Sequence, residues 1–528
     1  MNNSRFSIVL PLVISLSVCA GFLVCYIVMG DFFDSQKKSP GIQKLEDVLN
    51  ILDAKYVDPI NRDQVFEETI VEMLHKLDPH SNYIPAKEMQ KMAESIEGNF
   101  SGIGVRFFKL RDTISVTNVL PNSPSKRAGL KDGDQIVKIN GKNAAGVKMP
   151  TDSIMSLLKG KSGSAVNVTI NRYGKQILIK IIRGRIPIKS INTAYMVDIN
   201  TGYIKVDQFS VPTAYEFKQA ALLLLGKGMT SLILDLRNNG GGVLDGATQI
   251  ADEFLKKGLS IVKTKGSKLG TKYYTATEKG ILENVKLAVL INSRSASASE
   301  IVAGAIQDND RGIIVGRRSF GKGLVQEDQK LRDGSSVRIT IARYYTPSGR
   351  CIQRPYTDNY KDYYNDASRT EESMFKVDSS IYVDSLKFKT VGGRSVYGGG
   401  GISPDVFVPL DTSGTGLYYS SLLWSGAISQ FAFDYVKKNR YFEDNPWTSL
   451  SRYKNEFKAG KSLINELIEY AGSELGILPF TKSEISHCEA KLLIHLKAEI
   501  ARQIWQENGF FSIYNEHDAE FLGALRSF

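Results

Sequence analysis

Apolar residues change their spacing several times along this chain, and each change marks a different kind of element. Residues 6–29 are apolar apart from small polar side chains, a run long enough to cross a hydrocarbon core of about 30 Å. From 41 to 96 the spacing is helical: Leu45, Val48, Leu49 and Leu52 share one face, as do Val65, Ile70, Met73 and Leu74. Turns at Asp58-Pro59 and Asp78-Pro79 break the pattern, and the segment reads as packing or lid helices. Between 97 and 185 short strands alternate, at 113–119, 135–139, 165–170 and 177–181, with a helix over 151–158 capped by Thr151 or Asp152. From 186 the order becomes strand, helix, strand. A strand at 203–206 precedes a helix over 212–225, with Phe217, Ala220, Ala221 and Leu224 on one face. The almost wholly apolar strand at 231–236 fits burial on both faces. It runs into Arg237-Asn238-Asn239-Gly240-Gly241-Gly242 and a helix over 244–255. Strands at 287–291 and 313–315 flank a helix that starts near Glu300, and further strands lie at 337–344 and 406–408. Residues 357–390, polar and rich in Tyr and Asp, read as a surface insertion. After 412 the chain is helical. Its clearest element, 483–506, puts Ile485, Cys488, Leu492, Leu496, Ile500 and Ile504 on one face, with Gly509 as its stop.

Composition and charge narrow this picture. With 528 residues, 42% hydrophobic and 23% charged, the chain is globular and long enough for several domains. The net charge of +11 is spread without a dense basic run, so no nucleic-acid partner is expected. Arg5 precedes the apolar run and Asp31 and Asp34 follow it, which favours a cytoplasmic N-terminus with the rest exported. Residues 1–30 then read as a single-helix membrane anchor; a cleaved signal peptide and lipid attachment at Cys19 are the alternatives. Each places the functional part outside the cytoplasm, in the cell envelope or periplasm. Cys351 and Cys488 read as free thiols, with a disulfide between them as the alternative. No Cys/His ligand spacing occurs, so neither a metal nor another cofactor is expected.

The unit at 97–185 resembles a PDZ domain. The resemblance rests on the loop Gly102-Ile103-Gly104-Val105 and on Ala128-Gly129-Leu130-Lys131-Asp132-Gly133-Asp134-Gln135-Ile136. PDZ domains add a C-terminal peptide as a strand to a sheet edge, and their glycine-containing loop offers N–H groups to its carboxylate. The resemblance therefore implies a peptide site at Gly102, Ile103, Gly104 and Val105. It also implies protein or peptide partners recognised by their C-termini.

The chemistry concentrates between 286 and 326. A strand delivers Ser295, Ser297 and Ser299 to the start of a helix, and Lys322 follows between Gly321 and Gly323. Five histidines are present, none between 81 and 486, where the α/β core lies. A Ser-His-Asp triad would need His80 or a C-terminal histidine to reach in, whereas a Ser-Lys pair needs neither. Spacing does not choose among the three serines. The strand, glycine turn and helix start at 236–244 form an anion site by geometry, although they match neither a dinucleotide fingerprint nor a P-loop.

A PDZ-like unit, DLRNNGGG, SASASEIVAGA and SFGKGLVQ occur in this order. Together they resemble the carboxyl-terminal processing peptidases, or tail-specific serine proteases, over residues 40–411. The resemblance implies Ser297 as nucleophile, Lys322 as general base and Gln326, one helical turn later, as its assistant. It implies an oxyanion hole from the N–H groups of Gly241, with Gly242 the near alternative, and Ala298. Lys159-Gly160 stands where the family's PDZ helix usually ends in Arg-Gly, a point charge in place of a planar fork. The expected architecture is α/β and multidomain: an N-terminal segment (1–30), helices (41–96), the PDZ domain (97–185), a crotonase-like peptidase core (186–411) and a C-terminal helical region (412–528). The flanking helices could support a homodimer. Two other readings compete, a non-catalytic PDZ scaffold and an acyl-CoA enzyme.

Overall fold

The strand Ser231–Asp235 is buried at every residue, as its continuous apolar run requires of a strand covered on both faces. It is the third strand of a six-stranded sheet in the order Thr193–Met196, Thr201–Lys205, Ser231–Asp235, Lys286–Ile291, Ile313–Gly316, Val406–Phe407. After the first, antiparallel pair every neighbour is parallel, with registers such as Leu232↔Leu287 and Ala288↔Ile313. Helices Thr213–Leu225, Leu244–Asp252 and Ala298–Asp308 lie between these strands in sequence. Side chains alternate across the sheet with period two. Leu232, Leu234 and Val289 pack with Phe217, Ile250 and Ile301 on the helical face. Ile233, Ala288 and Leu290 meet Phe521 and Ala524 of the helix Ala519–Leu525 on the other.

The structure is a computed structural model that describes residues 11, 13–25, 39–277, 280–356, 360–364, 374–377, 382–479 and 481–528. The chain divides into two compact units, 1–74 and 75–528. In the first, the helix Pro40–Lys55 starts at Ser39, whose hydroxyl accepts from the Ile42 N–H, and has proline in its first turn. Arg62 pairs with Asp53 at 2.8 Å. The apolar run at 6–29 lies partly outside the described residues. Among those described, no helix is long and apolar enough to cross a membrane.

The second unit is mixed α/β and multidomain. A sheet ordered Val105–Leu110, Thr113–Val119, Gln135–Ile139, Ala165–Arg172, Lys175–Ile182 forms the PDZ-like part, with Val105–Leu110 at its edge. The helix Thr151–Leu158 buries Ile154 and Leu158 into its core. Neither Thr151 nor Asp152 caps that helix: Pro150 holds the cap position, with no side-chain cap bond. A second sheet of the α/β part pairs Asn82–Ile84, Leu324–Lys330 and Ser260–Gly266 with Ser336–Tyr345. Residues 41–96 are therefore not helical throughout, since 82–84 form a strand.

The C-terminal helices have their own core, which includes Phe431, Leu467, Leu492 and Leu496. Their longest element, Lys482–Tyr514, is two helices joined through non-helical backbone at Trp505 and Gln506, so the first ends with its apolar pattern and its stop is that kink and not Gly509. These helices touch both other parts. Arg111 pairs with Asp434 and Glu474 at 2.9 Å each, and Phe108 meets Phe433 edge to face. On the core side Arg237, 7% exposed, pairs with Asp235, Asp518 and Glu520 at 2.7 Å each.

Candidate active site

Ser297 sits at the cap position of the helix Ala298–Asp308 with φ 55° and ψ −112°. This is a backbone conformation that a residue with a side chain holds only when its surroundings enforce it. Those surroundings are specific. Ser295 and Ser299 are fully buried, and each hydroxyl has a structural task. Ser295 Oγ accepts from the Asn292 N–H at 2.9 Å and donates to Leu236 O at 2.8 Å, and Ser299 Oγ donates to Asn239 O at 2.9 Å. The two outer serines thus bind the loop to the neighbouring glycine turn. Ser297 is half-buried and lines a cleft of about 460 Å³.

The same cleft is lined by Gly241, Gly242, Ala298, Lys322 and Gln326, so five positions singled out in the sequence converge on Ser297. A Cβ on Gly241 would lie 2.7 Å from Ser297 Cβ and from Ala296 O, and one on Gly242 only 1.9 Å from Phe209 O. Glycine is required there by close approach and by the positive φ of both residues. The Gly241 N–H donates to Asn239 Oδ1 at 2.9 Å. Among the described residues the N–H groups of Gly242 and Ala298 have no acceptor. For Ala298, the first helical residue, that is the ordinary state of a helix start.

Lys322 Nζ donates to Gln326 Oε1 at 2.7 Å. Gln326 is not a helical turn further on: it lies in the strand Leu324–Lys330, next to a register shift between Val325 and Gln326. The extra residue there, Ile341, is on the partner strand, and the shift sets Gln326 opposite Thr340. Burial and the nearby Arg338 charge bring the lysine pKa down to about 8, while Glu300 and Asp78 pull it up. Ser297 and Lys322 share the cleft without a hydrogen bond between them.

Sequence reasoning missed Glu300. Its side chain is fully buried, and its carboxylate accepts from the N–H groups of Ser297, Gly321 and Lys322 and from the Ser319 hydroxyl, at 2.6 to 2.9 Å. Burial raises its pKa and these four bonds hold it back. Ser297 and Glu300 stand in the S-x-x-E spacing of a capping box, a signal that could have pointed to it. Tyr344 was missed too; its hydroxyl donates to Lys322 O at 2.6 Å and to Ser297 O at 3.2 Å. Met92, Ser95 and Ile96, from the helix Ala86–Glu97 in the segment read as packing or lid helices, line the cleft.

His80 does reach the core, despite the histidine gap. Its backbone carbonyl accepts from Gln326 Nε2 at 2.5 Å. Its imidazole is occupied by Tyr363 Oη at 2.9 Å and Tyr364 Oη at 3.2 Å, and burial with the Lys322 charge lowers its pKa to about 3. Tyr363 is buried here, so the described part of 357–390 is not merely surface. Gly102, Ile103, Gly104 and Val105 lie away from this cleft. They lead into the edge strand of the PDZ-like sheet, with the Ile103 side chain in its core. Lys159 pairs with Glu94 at 2.7 Å, on the helix that carries Met92 and Ile96.

Comparison with known proteins matches residues 200–360 to peptidase family S41, 101–182 to the PDZ domain, and 418–506 to a family of unknown function. The carboxy-terminal-processing protease of Bartonella bacilliformis is 36% identical over 340 residues, 61% of this chain and 77% of that one. A Staphylococcus haemolyticus protein named "Probable CtpA-like serine protease" is 33% identical over 354 residues, 66% of this chain and 71% of that one. Among solved structures, the photosystem II D1 C-terminal processing protease is 26% identical with a TM-score of 0.35, over 68% of this chain and 85% of that one. On the extent and identity of the two sequence relatives, this chain belongs to the carboxy-terminal-processing proteases of peptidase family S41, serine peptidases with a PDZ domain.

Proposed function

We propose that this peptidase is exported and cleaves protein chains with a Ser297–Lys322 dyad, choosing them by C-termini held on the PDZ domain. The observation that carries the dyad is the shared cleft, which Ser297 lines and Ser295 and Ser299 do not, and in which Lys322 is half-buried with its pKa lowered to about 8. Neutral Lys322 takes the Ser297 proton as Oγ attacks a peptide carbonyl. The oxyanion meets the N–H groups of Ala298 and of Gly241 or Gly242. Gly242 is favoured in the present geometry because the Gly241 N–H is already engaged by Asn239. Lys322 returns the proton to the leaving amine, and water then releases the acyl-enzyme. Gln326 holds the lysine in place. A rotation of either side chain must close the Ser297–Lys322 contact before attack.

PDZ capture at Gly102, Ile103, Gly104 and Val105 is supported by the free edge of Val105–Leu110, to which a peptide strand can add. The functional boundaries follow the parts: 97–185 for the PDZ domain, 186–411 for a crotonase-like core, and 412–528 for the helical region. The repeated strand–turn–helix units whose turns meet at one cleft support that core. The apolar run at 6–29 with Arg5 before it supports export and an N-terminal anchor. Exposed Ile42, Leu45, Val48 and Ile51 on Pro40–Lys55 are suited to a homodimer contact.

The test is cleavage of an unfolded protein by the full chain beside Ser297→Ala and Lys322→Ala. Cleavage by the parent protein alone supports the dyad. Activity that survives Lys322→Ala removes lysine as the base. Binding of C-terminal peptides without cleavage would favour the scaffold reading.

A further inference from the structure

The side-chain amide of Gln326 lies between two groups that leave it one orientation. On one side is the backbone carbonyl of His80, which can only accept a hydrogen bond. On the other is the Lys322 amine. Gln326 Nε2 donates to His80 O at 2.5 Å, and Gln326 Oε1 accepts from Lys322 Nζ at 2.7 Å. Reversing the amide would set carbonyl against carbonyl and NH2 against the ammonium, and both bonds would be lost.

The His80 carbonyl is itself held. Asp78, 6% exposed, accepts from the N–H groups of His80 and Ser81 at 2.8 and 2.9 Å and from Ser81 Oγ at 2.6 Å. Ser81 Oγ accepts in turn from the Thr340 N–H at 3.2 Å, within the strand that pairs with Asn82–Ile84. From the other side Phe320, Tyr363 and Tyr364 surround the imidazole edge to face. The turn is thus tied to the same sheet that carries Gln326.

We propose that the Asp78-Pro79-His80-Ser81 turn positions the base: through the His80 carbonyl it keeps the carbonyl oxygen of Gln326, and not its NH2, against Lys322. This rests on the reading of Lys322 as the base. A neutral amine has one lone pair. An amide NH2 facing it would donate to that lone pair and occupy it. With Oε1 there instead, the amine donates one hydrogen to Gln326 and its lone pair stays free for the Ser297 proton. Asp78, His80 and Ser81 act through Gln326 and touch neither substrate nor reacting atoms.

The test is a cycle of Asp78→Ala and Gln326→Met in the full chain, with kcat and KM measured for a labelled unfolded protein. It is run near pH 9.5, above the lysine titration near 8, where loss of the Asp78 charge no longer matters. Asp78→Ala is expected to lower kcat about tenfold, about 1.4 kcal/mol in the barrier, with KM changed less than about twofold. Asp78→Asn, which keeps an acceptor oxygen for the turn, restores most of the rate. In the Gln326→Met background Asp78→Ala has no further effect. Losses that multiply in the double variant overturn the proposal, as does an unchanged kcat in Asp78→Ala. If Asp78→Ala does not fold, Ser81→Ala takes its place in the same cycle, with a loss of about threefold. Lys322→Ala is measured alongside. Residual activity there overturns the base reading itself, whereas an inactive Lys322→Ala with multiplying losses overturns only the role of the turn.

Discussion

Ser297 and Lys322 donate their backbone N–H groups to one and the same oxygen, Glu300 Oε2, at 2.8 and 2.9 Å. The two proposed reacting groups come from different loops, and this buried carboxylate sets their separation. The geometry of the site is therefore more sensitive to Glu300 than a residue outside the chemistry would suggest.

Glu300→Ala leaves three backbone N–H donors, those of Ser297, Gly321 and Lys322, without an acceptor in a dry site. Each uncompensated donor costs about 1–3 kcal/mol, so a total loss of at least about 3 kcal/mol is expected in urea melts. Glu300→Gln keeps the volume but turns an NH2 toward donors, and cleavage should fall more than about tenfold, or about 1.4 kcal/mol in the barrier. An active Glu300→Ala enzyme would show that the two loops hold their separation without it.

Activity should rise with pH through about 8, since burial and Arg338 depress Lys322 and the base must be neutral. Stability follows by linkage. Between about 8 and 10.5 the unfolded chain binds the lysine proton more readily than the folded one, so this group's contribution rises with pH in that window. Below about 8 the folded state carries the full penalty. Lys322→Met should abolish cleavage while raising the melting temperature at pH 7; a lowered melting temperature would contradict a penalised ammonium.

The three serines separate by phenotype. Ser295→Ala removes a buried hydroxyl with two backbone partners, and a destabilisation of about 1–3 kcal/mol is expected. Ser297→Ala should change stability by less than about 0.5 kcal/mol and abolish labelling by a serine-reactive fluorophosphonate. Labelling that persists in Ser297→Ala and disappears in Ser299→Ala would move the nucleophile.

The C-terminal helices hold on to their two neighbours with unequal strength. Arg237→Ala takes the guanidinium from Asp235 and Asp518 at a buried junction, where Glu520 still has Arg317 at 2.8 Å, and should cost about 3–5 kcal/mol in denaturant melts. Arg111→Ala removes ion pairs from a guanidinium that is 55% exposed, and about 1 kcal/mol or less is expected. Hydrogen exchange should then quicken at Arg111 and in Ala427–Lys438 before it changes in the main sheet.

Local pattern and motif already carried the strand–helix order, the PDZ-like unit and the residues of the cleft. These depend on neighbours in sequence: periodicity, glycine at tight turns and small residues at a helix start. The apolar run of Ser231–Asp235 was enough to predict a strand covered on both faces. Gly240-Gly241-Gly242 before a helix start was enough to predict an anion site, though not that the Ser297 turn would pack against it. Among Ser295, Ser297 and Ser299, spacing left three equal candidates. The partners that separate them, Leu236 O and Asn239 O, lie far away in sequence. The same holds for Glu300 as a shared acceptor, for the Gln326 oxygen against the Lys322 amine, and for the His80 carbonyl behind it. Sequence by itself determined which residue types are present and in which local conformations, because those follow from short-range sterics and burial. Which hydroxyl faces the cleft, which amine is dried and which carbonyl faces an amide were decided only by tertiary structure, because hydrogen bonding and desolvation depend on groups that only the folded chain brings within about 3 Å of one another.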